Sequence, residues 1–144
     1  MPKILIIEDE ETIRRVLKKV LHQEDKNYEI IEAVDGVDGV SKINSNKFDL
    51  ILCDIKMPKK DGIEVLRHVL KECPNTPTIM ISGHGDLETA VESMRIGAFD
   101  YISKPPDLNR LLNSVRSALL NNNFIIQFRN HFYSYFWKIF FYHC

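Results

Sequence analysis

Short apolar runs alternate with longer amphipathic stretches along residues 1–120. The runs are rich in Ile, Leu and Val and show little alternation with polar residues. This pattern is typical of parallel strands that are covered on both faces. It predicts five strands, near residues 3–7, 28–34, 49–53, 77–81 and 99–102.

The stretches between these strands carry apolar residues at i, i+3, i+4 and i+7, which is the spacing of one helix face. The clearest stripes are Ile13, Val16, Leu17, Val20 and Leu21; Leu87, Ala90, Val91 and Met94; and Leu108, Leu111, Leu112, Val115 and Leu119. We expect these side chains to face the core. Five βα units result, which predicts the α/β class and an open parallel sheet with helices on both faces.

Turn and cap residues support these helix boundaries. Asp61 and Gly62 precede the third helix, Gly97 follows the fourth, and Asp107 is suited to cap the fifth. The sequence therefore marks both where the helices begin and where one of them ends.

Polar residues that could bind a metal or take part in a reaction follow four of the five strands. Strand one is followed by Glu8 and Asp9, strand three by Asp54, strand four by Ser82 and strand five by Lys104. Strand two ends in nothing comparable, which predicts that it lies at an edge and that strands one and three lie side by side. Ligands of open α/β sheets bind beyond the carboxyl ends of the strands, so we expect these residues to share one crevice.

Three carboxylates in one crevice repel one another unless a cation lies among them. Mg²⁺ prefers oxygen ligands, keeps several waters and takes one or two carboxylates, which suits a shallow acidic crevice. The sequence shows no His and Cys cluster that would favour a softer metal. We therefore expect a magnesium site.

A metal beside carboxylates, a lysine and a hydroxyl suits phosphoryl transfer. We assign Asp54 as the nucleophile, because its carboxylate stands alone on a central strand and can form an acyl phosphate. Lys104 would pair with the phosphoryl oxygens, and the Ser82 hydroxyl would donate a hydrogen bond to one of them.

Four segments carry a resemblance to a known family. They are residues 4–10 (ILIIEDE), 54–62 (DIKMPKKDG), 81–85 (ISGHG) and 100–105 (DYISKP). On the basis of these four segments, residues 3–120 resemble the receiver domain of two-component response regulators. The resemblance implies a flavodoxin-like doubly wound (βα)5 sandwich with a five-stranded parallel sheet in the order 2-1-3-4-5, and a cytoplasmic domain.

The resemblance also assigns roles to individual residues. It implies that Asp54 accepts a phosphoryl group from a sensor histidine kinase, and that Glu8, Asp9, Asp54 and the Lys56 carbonyl surround Mg²⁺. It implies a cis peptide between Lys104 and Pro105. Tyr101 matches the switch aromatic, which moves inward as the Ser82 hydroxyl turns toward the phosphate, and the result is a population shift between two surfaces.

Such a domain is a signalling phospho-acceptor rather than an enzyme, although it promotes its own phosphorylation and the hydrolysis of its acyl phosphate. Residues 82–86 together with Lys104-Pro105-Pro106 resemble nitrogen-regulation-type receivers, in which an AAA+ ATPase and a DNA-binding domain follow and the output is transcription regulation. The chain contains no GxxxxGK[ST] phosphate loop, so we expect a lone receiver.

Composition excludes several other classes. The 19 Lys and Arg against 20 Asp and Glu argue against direct nucleic-acid binding, and the 44% hydrophobic content argues against a disordered chain. Three cysteines without a CxxC pair suggest reduced thiols in the cytosol. The N-terminal apolar run is too short for a signal peptide or a membrane span.

Residues 121–144 differ sharply in composition from residues 1–120, because they hold 10 of the 14 aromatic residues. Phe124, Phe128, Phe132, Phe136 and Phe140 recur at steps of four, which predicts a helix with a broad aromatic face. Two interpretations stay open: an association helix that forms a homodimer or lies in a membrane interface, and a non-native ending. The abrupt end of the resemblance near Leu120 favours the second.

Two other functional classes share parts of this residue pattern. A phosphatase resembling the haloacid dehalogenases would need a DxD signature after the first strand, but Lys56 stands where its second acid should be. A degenerate receiver would act as a phosphorylation-independent binding module. The complete set of acid, hydroxyl and lysine argues against it.

Overall fold

The computed structural model describes residues 1–83 and 87–121. The aromatic tail from residue 122 onward, and His84, Gly85 and Asp86 of the predicted motif, lie outside these residues. Within the described ranges, no helix combines the length and the apolar character that a bilayer span requires.

Within residues 1–83 and 87–121, five strands and five helices alternate, as the hydrophobic pattern predicts. They are β1 Lys3–Ile7, α1 Glu11–Glu24, β2 Glu29–Ala33, α2 Gly36–Ser45, β3 Leu50–Asp54, α3 Gly62–Glu72, β4 Thr78–Ser82, α4 Leu87–Ile96 and β5 Asp100–Ser103, with α5 at 108–121. Three strands reach one residue further than predicted, so that Asp54, Ser82 and Ser103 are the last residues of β3, β4 and β5.

All neighbouring strands of the sheet are parallel, and their order is β2-β1-β3-β4-β5. The predicted order and the predicted edge position of β2 are therefore confirmed. In the central pair, Ile7 of β1 is the register partner of Cys53 in β3. Because Glu8 and Asp54 are the next residues along these two strands, the carboxyl ends of β1 and β3 bring their acids together.

The helices form two layers, one on each face of the sheet. Buried residues of α1 and α5, such as Leu21 and Val115, pack with one face of the strands. Residues of α2 and α3, such as Ile43 and Leu66, pack with the other face, and Ala98 after α4 joins them. Burial on both faces explains why β3 and β4 are buried along their whole length.

Caps fix the start of three helices. The side chains of Asp35 and Asp61 accept hydrogen bonds from the backbone N–H groups of the third residue of α2 and α3. Asp107 accepts hydrogen bonds from the N–H groups of residues 109 and 110 at the start of α5. Gly97 follows α4 with φ of 136°, a conformation that favours glycine. Asp61, Gly97 and Asp107 are thus confirmed as the boundary residues identified in the sequence, whereas the Asp35 cap was not predicted.

The predicted inward stripe of α4 is confirmed at Ala90 and wrong at its other three positions. Leu87, Val91 and Met94 are exposed, and α4 packs on the domain through Ala90 and Ser93. The Ser93 hydroxyl is satisfied inside the helix, because it donates to the Thr89 carbonyl at 2.8 Å. Small residues allow close packing, and they turn the larger apolar residues onto a neighbouring face of the helix. The predicted core positions Val16, in the middle of α1, and Leu108, the first residue of α5, are also exposed.

Candidate functional site

Three carboxylates gather at the carboxyl ends of the central strands. Oxygens of Glu8, Asp9 and Asp54 lie within 4.8 Å of one another. Glu8 and Asp54 are buried, at 2% and 4% exposure, whereas Asp9 is exposed. The adjacent positions of β1 and β3 in the sheet produce this cluster, and the exposed Asp9 leaves one side of it open to solvent.

Lys104 brings a positive charge to the cluster from the end of β5. Its Nζ lies 3.0 Å from Glu8 Oε1 and 3.3 Å from Asp54 Oδ2. The backbone N–H of Lys104 donates to the Ser82 carbonyl, so that the two strand ends are joined directly. The peptide bond between Lys104 and Pro105 is cis.

The electrostatics of the cluster follow from burial. Burial, together with a hydrogen bond to Asp54, raises the pKa of Glu8 to about 8. Burial also raises the pKa of Asp54, although the hydrogen bond from Glu8 and the charge of Lys104 oppose this rise. Burial by itself would lower the pKa of Lys104, but its bond to Glu8 and the nearby negative charges raise it instead. Glu8 is therefore the acid that holds a proton most readily.

The donor set fits a hard divalent cation. All three side chains offer carboxylate oxygens, and within the described ranges the cluster includes no His or Cys. Three carboxylates gather around a single ammonium, that of Lys104, so a divalent cation would balance the remaining negative charge. One exposed side, at Asp9, leaves room for the water ligands that Mg²⁺ retains.

Ser82 and Tyr101 lie on the two strands beyond β3. Ser82 is buried at the end of β4, and its register partner is Ser103 of β5. Tyr101 is half-buried in β5 and packs against the core on the α2–α3–α4 side of the sheet. The two predicted switch residues therefore lie on neighbouring strands, β4 and the edge strand β5.

The loop between β3 and α3 passes close to Asp54. The N–H of Gly62 donates to the Ile55 carbonyl at 2.8 Å, and a Cβ at position 62 would lie 2.2 Å from the Asp54 carbonyl oxygen. Lys56 lies in this loop, two residues beyond Asp54, and is exposed. Its carbonyl stays a predicted metal ligand.

Asp35, a charged residue at the carboxyl end of the sheet, has a structural role. Asp35, which follows β2, caps α2 and lies 3.3 Å from Lys59 Nζ. This agrees with the inference that strand two contributes no chemistry to the crevice.

Sequence reasoning missed Arg14. Its Nη1 donates to the Glu8 carbonyl at 2.8 Å, and its Nε lies 3.6 Å from Glu32 Oε1. Arg14 therefore links α1, the end of β1 and β2. The only signal in the sequence is a basic residue six positions after Glu8, at the start of a helix, and this is too common to single out.

A parallel five-stranded α/β sandwich with a carboxylate cluster, a buried strand-end serine and a lysine defines a receiver domain. The comparison with protein families agrees, because residues 4–116 match the response regulator receiver domain. The chain belongs to the response regulator receiver family and is the receiver domain of a two-component response regulator.

Curated relatives include the response regulator ArlR of Staphylococcus saprophyticus, which is 39% identical over 119 residues, or 83% of this chain and 53% of the relative. ArlR of Staphylococcus aureus strain Mu50 is 38% identical over the same shares of the two chains. The chain thus spans about half the length of the curated relatives it matches.

Solved structures show the same fold. A response regulator receiver domain protein from Clostridium thermocellum has a TM-score of 0.79 and 34% identity, and the match covers 87% of this chain and 99% of that one. NtrX from Brucella abortus, in complex with ADP, has a TM-score of 0.81 and 33% identity, over 89% of this chain and 29% of NtrX. The flavodoxin-like fold is therefore confirmed.

Proposed function

We propose that Asp54 accepts a phosphoryl group from a phosphohistidine of a sensor kinase. A carboxylate oxygen of Asp54 attacks phosphorus, the P–N bond breaks, and the imidazole keeps the electron pair. The observation that carries this proposal is the position of Asp54: a buried carboxylate at the end of a central strand, 3.3 Å from the ammonium of Lys104.

The surrounding residues would bind the metal, pair with the phosphoryl group and donate a hydrogen bond to it. Glu8, Asp9, Asp54 and the Lys56 carbonyl would hold Mg²⁺, which when bound neutralises charge on the phosphoryl oxygens. Lys104 keeps Asp54 ionised in a buried setting and pairs with the transferred group. The Ser82 hydroxyl donates a hydrogen bond to a phosphoryl oxygen.

Phosphorylation would then change the surface that partners bind. The new charge draws the Ser82 hydroxyl toward the phosphate, and Tyr101 shifts further inward from its half-buried position. This biases an equilibrium between two conformations. The same residues allow phosphorylation by small acyl phosphates and slow hydrolysis of the product, so that the domain resets without acting as a turnover enzyme.

We also propose that the domain works in the cytoplasm and belongs to the nitrogen-regulation subgroup. Cys53 and Cys73 are free thiols, which suits a reducing compartment. The likeness to NtrX and the motif at residues 82–86 support the subgroup. The source genome downstream of codon 120, translated in all three forward frames, tests it: an ATPase phosphate-loop motif GxxxxGK[ST] supports the assignment, and the absence of such a motif from all three frames contradicts it.

Intact-mass spectrometry tests the phosphoryl-acceptor proposal. The protein is incubated with acetyl phosphate and Mg²⁺, beside Asp54→Asn and a chelator control. We expect one phosphoryl adduct that is absent from both controls. A folded protein that binds Mg²⁺ but forms no adduct would instead support the degenerate binding module.

A further inference from the structure

The loop between β3 and α3, residues 55–61, contacts the start of α2. At the base of this loop, the Ile55 carbonyl accepts a hydrogen bond from the Gly62 N–H at 2.8 Å, which closes the loop onto β3 and α3. The tip of the loop, formed by Lys59 and Lys60, lies against the N-cap and the first residue of α2. The loop is therefore held both at its base and at its tip.

The first contact at the tip is a close approach of two backbones. Gly36 is the first residue of α2 and is buried. A Cβ at position 36 would overlap the carbonyl oxygen of Lys60. Gly36 does not have a positive φ, so alanine could adopt its backbone conformation. The neighbouring loop, rather than the conformation of α2, is thus what requires glycine at this position.

The second contact at the tip is an ion pair to a strained residue. Lys59 has φ of 71°, a left-handed conformation that a lysine keeps only where its surroundings hold it. Its Nζ lies 3.3 Å from Oδ2 of Asp35. Asp35 is itself fixed, because it is buried and its Oδ1 accepts a hydrogen bond from the Asp38 N–H at 2.7 Å. The ion pair therefore ties the strained residue to the start of a helix.

The Lys56 carbonyl belongs to the same loop, three residues before Lys59. Under the proposed function, this carbonyl binds Mg²⁺. A backbone carbonyl cannot turn without moving the chain that carries it, so the conformation of the loop sets its direction. Mg²⁺ demands near-ideal octahedral geometry at about 2.1 Å, so that a small displacement of one ligand weakens binding.

We propose that Asp35 and Gly36 are positioning residues of the metal site, because they fix the tip of the 55–61 loop and thereby the direction of the Lys56 carbonyl. This inference rests on the proposed function, since it requires that this carbonyl binds Mg²⁺. The segment after β2 then supplies no ligand, but it influences the affinity of the site through the loop. Residues that orient metal ligands typically change metal affinity by about 10- to 100-fold when they are replaced.

Two variants disturb the two contacts separately. Gly36→Ala introduces a Cβ that has to displace the Lys60 carbonyl. Asp35→Asn removes the charge that holds Lys59 but keeps the cap of α2, because Asn caps a helix as well as Asp does. The Mg²⁺ dissociation constant of each full-length protein is measured by isothermal titration calorimetry, and the free energy of unfolding is measured in urea without Mg²⁺.

Asp38→Asn is the matched control for Asp35→Asn. It also removes a carboxylate charge from the first turn of α2 and breaks an ion pair, which Asp38 forms with Lys42 at 3.2 Å. This pair lies within α2 and does not involve the loop, so the variant reports the effect of one lost charge by itself. Asp54→Asn is the reference for the loss of a metal ligand.

We expect the Mg²⁺ dissociation constant to rise several-fold in Asp35→Asn and about tenfold in Gly36→Ala, and to stay unchanged in Asp38→Asn. Hydrogen exchange of the Lys60 N–H, measured by NMR without Mg²⁺, should be faster in the first two variants. This N–H donates to the Pro58 carbonyl at 2.9 Å within the tip of the loop. If Gly36→Ala does not unfold cooperatively, Asp35→Asn, which places no new atoms in the contact, provides the test.

Three results would overturn the proposal. A dissociation constant that stays unchanged in Asp35→Asn or in folded Gly36→Ala, while Asp54→Asn weakens binding, would show that the metal site exists but is not positioned by the start of α2. An equal loss of affinity in Asp38→Asn and Asp35→Asn would identify long-range charge as the cause. Absence of Mg²⁺ binding by the unmodified chain would contradict the metal site of the proposed function, and this inference with it.

Discussion

The ammonium of Lys104 lies 3.0 Å from Oε1 of Glu8, although the two residues are separated by most of the chain. The same ammonium lies 3.3 Å from Asp54. Lys104 is thus an internal counter-charge that joins the ends of β5, β1 and β3 before any metal is present. This counter-charge role is additional to the predicted pairing of Lys104 with the phosphoryl oxygens.

Replacing Lys104 with Met should destabilise the metal-free domain. Removing one partner of a buried ion pair leaves an uncompensated charge, but protonation of Glu8 relieves part of the cost, so we expect a loss of about 2 kcal/mol in the free energy of unfolding. Urea unfolding with and without Mg²⁺ measures this, and Mg²⁺ should stabilise the variant more than the unmodified chain.

Lys59→Met is the matched control for this change. Lys59 also pairs with a carboxylate, Asp35, at 3.3 Å, but its side chain is exposed. Exposed pairs contribute at most about 1 kcal/mol. An equal loss of stability in both variants would contradict the role of Lys104 as a buried counter-charge.

Mg²⁺ should raise the melting temperature of the unphosphorylated domain. A ligand that binds only the folded state stabilises it in proportion to the logarithm of ligand concentration, and here it also relieves repulsion among Glu8, Asp9 and Asp54. Asp54→Asn should weaken the effect. Asp61→Asn should not, because Asn caps α3 as well as Asp does and position 61 lies outside the cluster. A melting temperature that does not respond to millimolar Mg²⁺ would count against the metal site.

Gly62→Ala should both destabilise the domain and impair phosphorylation. The new Cβ would lie 2.2 Å from the Asp54 carbonyl oxygen, so either α3 or the end of β3 must move. We expect a cost of about 3 kcal/mol, since neither neighbour is a flexible side chain. Gly83→Ala is the control, because nothing lies within 4 Å of its Cβ position, and it should change the free energy of unfolding by less than about 0.5 kcal/mol. Similar losses in the two variants, measured by urea unfolding, would contradict this account.

The contact between β5 and α5 should make stability depend on pH in the acid range. Two hydrogen bonds from Arg110, at 2.6 and 2.8 Å, lower the pKa of Asp100 from its usual value of 3.8 to about 2. A depressed pKa stabilises the fold above the unfolded value and loses this contribution as pH falls from about 4 to about 2. Because Arg110 is half exposed, we expect the contribution to be roughly 1 kcal/mol.

Arg110→Met provides the test of that contribution. The free energy of unfolding should be lower than that of the unmodified chain at pH 6, and the difference should shrink toward pH 2. A difference that stays constant across this range would show that Arg110 acts through packing rather than through the charge of Asp100.

Hydrophobic periodicity was sufficient to predict the sheet and its helices, because each strand is buried on both faces and each helix needs one apolar face. It failed at most of α4, where the predicted stripe joined Ala90, which is buried, with Leu87, Val91 and Met94, which are exposed, and left out Ser93, which is buried. Only the volume available against β4 and β5 decides which of these residues face inward. Close packing selected the small residues, and this is not visible in a one-dimensional pattern.

The candidate site, too, could be predicted only in part from the sequence. The positions of Glu8, Asp54 and Lys104 follow from the strand ends, which the sequence identifies. The contact of Lys104 with Glu8 and the hydrogen bond from Arg14 to the Glu8 carbonyl are made by long side chains. These side chains reach between elements that are distant in the sequence. Such contacts are settled by tertiary geometry and carry no local signal.

The most direct measurement of the central claim is chemical mapping of the phosphorylated residue. After phosphorylation, borohydride reduces an acyl phosphate to the alcohol, which converts the modified Asp to homoserine and releases phosphate. Tryptic cleavage yields the peptide 48–56, which contains both Asp49 and Asp54. We predict homoserine at position 54 and unmodified Asp49. Homoserine at Asp49, reduction at Glu8 or Asp9, or a phosphorylated protein with no reducible carboxyl group would contradict the assignment of Asp54 as the phosphoryl acceptor.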